Sequence, residues 1–151
     1  MPRTNVLAPR RGAVMIAALV SLCVWMPQRV VAQQQSLAGS TWKLTSLTMS
    51  GQTTTPDDAM KYTLTFQKDG QVAVRADCNR GRGPYTDPPD SLDIGPITLT
   101  KARCAPGSLA DQFARALGFV QSYEVRDGTL LLGIAPGGDT LRFEPSPTKG
   151  K

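Results

Sequence analysis

Three cysteines, twelve carboxylates, an Arg-Gly run and no histidine bound the chemistry open to this chain of 151 residues. Without histidine there is no Ser-His-Asp or Cys-His arrangement for nucleophilic catalysis, and no His-ligated zinc or haem. A serine nucleophile would need a lysine base instead, and none is expected to act as one. The run Asp77 to Tyr85 (DCNRGRGPY) presents Arg80 and Arg82 between glycines, a composition suited to an anion. It lacks the helix N-terminus and the Lys-Ser or Lys-Thr pair of a phosphate loop. It therefore reads as a tight turn anchored by Cys78, with two solvated arginines. Asp87, Asp90 and Asp93 cluster in a Pro-rich stretch (TDPPDSLD) without the spacing or closing Glu of an EF-hand. Whether two of them form a glycosidase-type pair depends on their separation in space. Trp42, on an alternating segment, reads as core rather than as a ligand platform. The expectation is no catalytic residue, no metal and no cofactor.

The charge balance sharpens this. The whole chain carries +5, a balance that usually points to nucleic acid or an anionic surface. Four of the seventeen cations, Arg3, Arg10, Arg11 and Arg29, belong to a leader-like segment over residues 1–32. There a basic start precedes a 15-residue apolar run, Gly12 to Met26, then Pro27 and the small-residue site Val30-Val31-Ala32. This is the pattern of a cleavable secretory signal peptide. The run falls short of the roughly 20 residues a membrane span needs, although a retained N-terminal anchor is the alternative. Cys23 follows the bulky Leu22, a poor context for lipidation. Cleavage after Ala32 would leave thirteen cations against twelve acids, a net +1, which argues against nucleic acid. It would also leave two cysteines, Cys78 and Cys104, an even pair that in an oxidising compartment reads as a disulfide.

The elements that position these residues read as strands with one helix. Residues 41–49, 61–67, 71–77, 94–100, 123–126, 129–135 and 140–143 have strand-like alternation or β-rich composition, with hairpin signals at Asp69-Gly70 and Asp127-Gly128. Residues 79–92 read as the longest irregular stretch. Residues 108–122 place Leu109, Phe113, Ala116, Leu117 and Val120 on one helical face, with Ser108 as N-cap and Asp111 in the first turn. The fold class is α+β, mainly antiparallel β: a curved sheet or half-open barrel of about six or seven strands with one packed helix. Residues 33–145 form the domain and 146–151 a polar tail.

Four segments in order, LAGSTWKLTSL, ADCNRGRGPY, ITLTKARC and TLLLGIAPGGDTLRFEP, resemble the META/HslJ-like domain. The matching positions are Leu37, Gly39 and Trp42, then Cys78, Asn79, Gly83 and Tyr85, then Thr100 and Cys104. The resemblance implies a small β-rich domain with a helix, exported to the bacterial envelope and associated with stress and antibiotic tolerance. It supplies no catalytic residue, and Asn79 is expected to fix the backbone around it. The expected function is a non-enzymatic, monomeric envelope module in the periplasm or outside the cell, binding a partner or protecting the envelope. The expected partner is an envelope protein or an apolar small molecule, with no nucleic acid and membrane contact only through the leader. A carrier of an apolar ligand or lipid, an inhibitor presenting residues 79–92, and an enzyme using Asp87 and Asp93 are the alternatives.

Overall fold

The computed structural model describes residues 35–89 and 91–147. The proposed leader and residues 148–151 of the tail lie outside them. The first long strand, β1 (Thr41–Met49), buries Trp42, Leu44 and Leu47 on one side. A short β2 (Gln52–Thr54) folds back on it, and a 3-10 turn (Ala59–Lys61) leads into β3 (Tyr62–Phe66). The meander continues through β4 (Gln71–Ala76) and β5 (Asn79–Thr86), followed by the two-residue strands β6 (Asp93–Ile94) and β7 (Thr98–Leu99). After helix α1 (Ala110–Leu117) come β8 (Val120–Arg126), β9 (Thr129–Ile134) and β10 (Asp139–Pro145).

All strand pairs are antiparallel, in the order β6-β5-β4-β3-β1-β10-β9-β8, with β2 on β1 and β7 on β5. Register shifts between Leu44 and Ser46 and between Val120 and Ser122 add local curvature. The sheet curls until its ends meet, where the Leu92 N–H donates to the Gln121 carbonyl at 3.1 Å. This is the curved, nearly closed sheet with one helix that the residue pattern predicts, with more short strands than the pattern reveals. The Asp127-Gly128 hairpin has positive φ at both central residues, 50° and 73°, a conformation that suits Asp-Gly.

Helix α1 plugs the curl. It buries Ala110, Phe113, Ala116 and Leu117, and Phe113 meets Tyr62 edge-on at 5.8 Å and Phe143 at 6.2 Å between ring centres. The helix is shorter than expected, and Leu109 rather than Ser108 occupies the N-cap position. The Tyr62 hydroxyl accepts the Leu109 N–H at 2.9 Å, and the Ser108 Oγ takes that of Ala110 at 3.2 Å. Val120 is buried as expected, but from a strand: its backbone pairs with Ile134.

The largest correction concerns residues 79–92. Most of this expected irregular stretch is β5, paired with β4 from Asn79 to Pro84 and with β6 at Tyr85 and Thr86. Only Asp77 and Cys78 form the turn, with Asp77 at φ 55°. The expected single strand over 94–100 is broken by Gly95-Pro96 into β6 and β7. Glycine makes the crossing over β5 possible. A Cβ on Gly81 would sit 1.9 Å from the Thr98 carbonyl oxygen, and one on Gly83 would sit 2.8 Å from that of Pro96. Gly81→Ala is expected to push β7 off β5 and cost about 1–3 kcal/mol as an overpacking change. Chemical denaturation with hydrogen exchange at Thr100, whose N–H donates to the Arg80 carbonyl, would measure both effects.

Candidate functional site

The candidate site is built where β5 begins. The tight turn places Cys78 at the rim, and its bond to Cys104 joins residues 26 apart with Cα atoms at 5.5 Å. The bridge holds the segment after β7 against the β4–β5 turn. Asn79, the next residue, is buried and saturated. Its Oδ1 accepts from Thr100 Oγ1 at 3.0 Å and from the Ala102 N–H at 2.8 Å. Its Nδ2 donates to the Ala102 carbonyl at 3.2 Å and to Cys104 Sγ at 3.5 Å. Thr100 Oγ1 in turn accepts the Arg80 N–H at 3.1 Å. The amide therefore fills the place of a strand neighbour for an irregular backbone, satisfying polar groups that would otherwise be costly to bury.

Gly39 and Tyr85 meet the end of β3 at its turn into β4. The Gly39 N–H donates to the Phe66 carbonyl at 2.7 Å, and Leu37 is buried beside it. Trp42 Nε1 donates to Ser40 Oγ at 2.7 Å, so the indole is core with its polar tip satisfied. Tyr85 packs edge-on against Phe66 at 4.9 Å and donates its hydroxyl to the Gln67 carbonyl at 3.0 Å. Two segments more than forty residues apart, around Leu37 and around Tyr85, thus clasp one hairpin.

Burial, and then the charges of Asp87 and Asp69, hold the Tyr85 phenol above its ordinary pKa. A raised folded-state value favours the protonated form, so this contribution is complete below the unfolded tyrosine value near 10. It is lost as pH rises through the higher folded value. Stability is expected to fall above about pH 10, and Tyr85→Phe should flatten that fall while removing the bond to Gln67. Melting curves across the alkaline range would show a parallel decline in both proteins if Tyr85 played no part.

Of the clustered acids, Asp87 is committed to structure. Its Oδ2 accepts from the Leu37 N–H at 2.9 Å and from Ser36 Oγ at 3.1 Å, latching the start of the domain to the end of β5. Asp93 is exposed on β6, and Asp90 lies outside the described residues. The chain has two Ser-x-x-Lys spacings, Ser40 to Lys43 and Ser146 to Lys149. The Ser40 hydroxyl is engaged by Trp42, while Lys43 pairs with Glu144 at 3.6 Å. Lys149 lies outside the described residues.

Beside the Asn79 strap, an open cleft of about 530 Å³ runs between the 97–103 segment and α1, bordered by Ile97, Leu99, Lys101, Arg103 and Ala114. The interior behind it is filled by side chains, with Tyr62, Phe66, Phe113 and Phe143 almost wholly inaccessible. Among the described residues, no group of three or more His, Cys, Asp or Glu is arranged to hold a metal ion. No described helix is long and apolar enough to cross a membrane.

Comparisons with known proteins agree with this architecture. A family model described as the META domain matches residues 35–147. A protein from Burkholderia xenovorans, solved by NMR, superposes with a TM-score of 0.63 at 24% identity, covering 74% of this chain and 85% of that one. A DUF4847 family protein from Bacteroides vulgatus, solved by crystallography, superposes at 0.54 with 15% identity, covering 75% and 96%. At these identities the likeness is one of fold. No curated protein matches the chain significantly.

Proposed function

This chain belongs to the META domain family, and on that premise we propose that it is an exported, non-enzymatic module of the bacterial envelope. Its role in this reading is to bind a partner or protect the envelope under stress. One observation carries the proposal: the polar residues shared with the family are spent on holding the fold. Asn79 and Thr100 bond to each other and to neighbouring backbone, and the two cysteines bond to one another. That leaves the surface, rather than a buried reactive group, as the part free to act.

Export is supported by the disulfide, which persists in oxidising compartments, and by the leader pattern of residues 1–32. The ligand-carrier alternative is less favoured, because aromatic side chains occupy the space between sheet and helix. The inhibitor alternative loses its protruding loop, since that stretch is mostly β5 within the sheet.

Expression of the full chain in a bacterial host tests the reading. The recovered protein should begin at Gln33, be absent from the cytosol, and weigh two hydrogens less than its dithiol form. An unprocessed cytosolic chain with free thiols would overturn the export claim.

A further inference from the structure

The cations of the domain are unevenly placed. Strands β3, β4, β5 and β7 contain no Asp or Glu, while β4 and β5 carry Arg75, Arg80 and Arg82. Arg75 lies directly opposite Arg80 in the β4–β5 register, and Arg82 is two residues further along β5, opposite Ala73. Strand alternation puts all three on the outer face, away from Val72, Val74 and Ala76. Lys101 and Arg103, both exposed, continue the charge around the sheet edge on the segment strapped by Asn79. Among the described residues the ion pairs are Lys43–Glu144, Lys61–Asp57 and Arg126–Glu124, so none of these five cations is paired. Asp69 and Asp77 sit in the turns at the strand ends. Arg75 reaches only the Asp77 backbone carbonyl, at 3.4 Å.

Like charges directly opposite on neighbouring strands destabilise a sheet. A surface selected only for stability would place a carboxylate or a neutral residue at one of these positions. We infer that the outer face of β4 and β5, with the edge bearing Lys101 and Arg103, docks on the anionic headgroup surface of a lipid membrane. This extends membrane contact beyond the leader, and it does not depend on whether the leader is removed.

The arrangement favours a lipid surface over other anions. The cations are dispersed over a sheet face instead of converging on a pocket. A planar array of phosphates offers each guanidinium its own two-oxygen partner. Single-stranded nucleic acid calls for aromatics among the cations, and the outward neighbours here are Thr63, Thr65 and Ala73.

The test is co-sedimentation of the full chain with vesicles of phosphatidylcholine, alone or mixed with phosphatidylglycerol. Preferential binding to the mixed vesicles, weakening as salt screens the charges, is expected. The variant Arg75→Gln/Arg80→Gln/Arg82→Gln should lose about a hundredfold in partitioning, from about a fivefold factor per cation. Its melting temperature should equal or exceed that of the parent, because the opposed arginines are gone. The variant Arg115→Gln/Arg126→Gln/Arg142→Gln loses the same net charge elsewhere, on α1, β8 and β10, and should bind nearly as the parent does. The leader is common to all three proteins and cancels from the comparison. Equal losses in the two variants, equal binding to neutral vesicles, or capture by an acidic protein or polyanion without vesicle binding would each overturn the inference.

Discussion

Phe113→Ala is expected to lower the free energy of unfolding by about 3–5 kcal/mol, the range for removing a fully buried aromatic. The ring is wholly inaccessible and is the wedge between helix and sheet. It contacts Tyr62 of β3 on one side and Phe143 of β10 on the other. These strands flank β1, so the cavity would open against the middle of the sheet rather than at an edge where neighbours can collapse. Tyr62 would also lose the ring that orients it, although its hydroxyl still takes the N–H of Leu109 at the N-cap. Equilibrium urea denaturation should show a lower midpoint with little change of slope. A loss below about 1 kcal/mol would mean that the helix docks without this ring, contrary to the packing described.

Replacing both bridging cysteines by alanine is expected to cost about 3.5 kcal/mol, from the closure entropy of a loop of this length. The parent protein under reductant should lose a comparable amount. The damage should be concentrated. Asn79 gives one of its hydrogen bonds to Cys104 and the rest to the segment that the bridge restrains. Amides of residues 100–104 should therefore exchange faster than those of β9 and β10, which the bridge does not touch. Uniform acceleration across the domain would indicate that the bridge acts only on the unfolded chain. Preserved stability would show that the Asn79 network holds the segment unaided.

These sensitive points were unequally legible in the residue pattern. Regular alternation made β1 readable to its ends, and Asp-Gly pairs marked two hairpins, because those signals are local. The disulfide followed from an even cysteine count and the leader pattern. Strand β5 was hidden because glycine and proline look like loop signals, yet glycine at alternate positions 81 and 83 also marks a strand closely crossed by backbone. The Asp87 latch had no local signal, since its partners lie about fifty residues upstream. The opposed arginines likewise emerge only once the β4–β5 register is known. The charge count could say how many cations there are, but not that two face each other.

The central position of β1 has a consequence for how the protein is made. Its neighbours are β3, which follows soon after, and β10, whose residues near 141–145 pair with residues 42–47. A chain emerging from the ribosome can form the β3–β4–β5 meander early, but the other flank of β1 stays open until β10 arrives. Contacts so distant in sequence carry a large closure cost and slow folding. A strand that follows β1 by about ninety residues thus completes the middle of the sheet rather than its edge. Loss of β10 by premature termination would leave two unsatisfied strand flanks, on β1 and on β9, and a product prone to pair with other chains instead of folding.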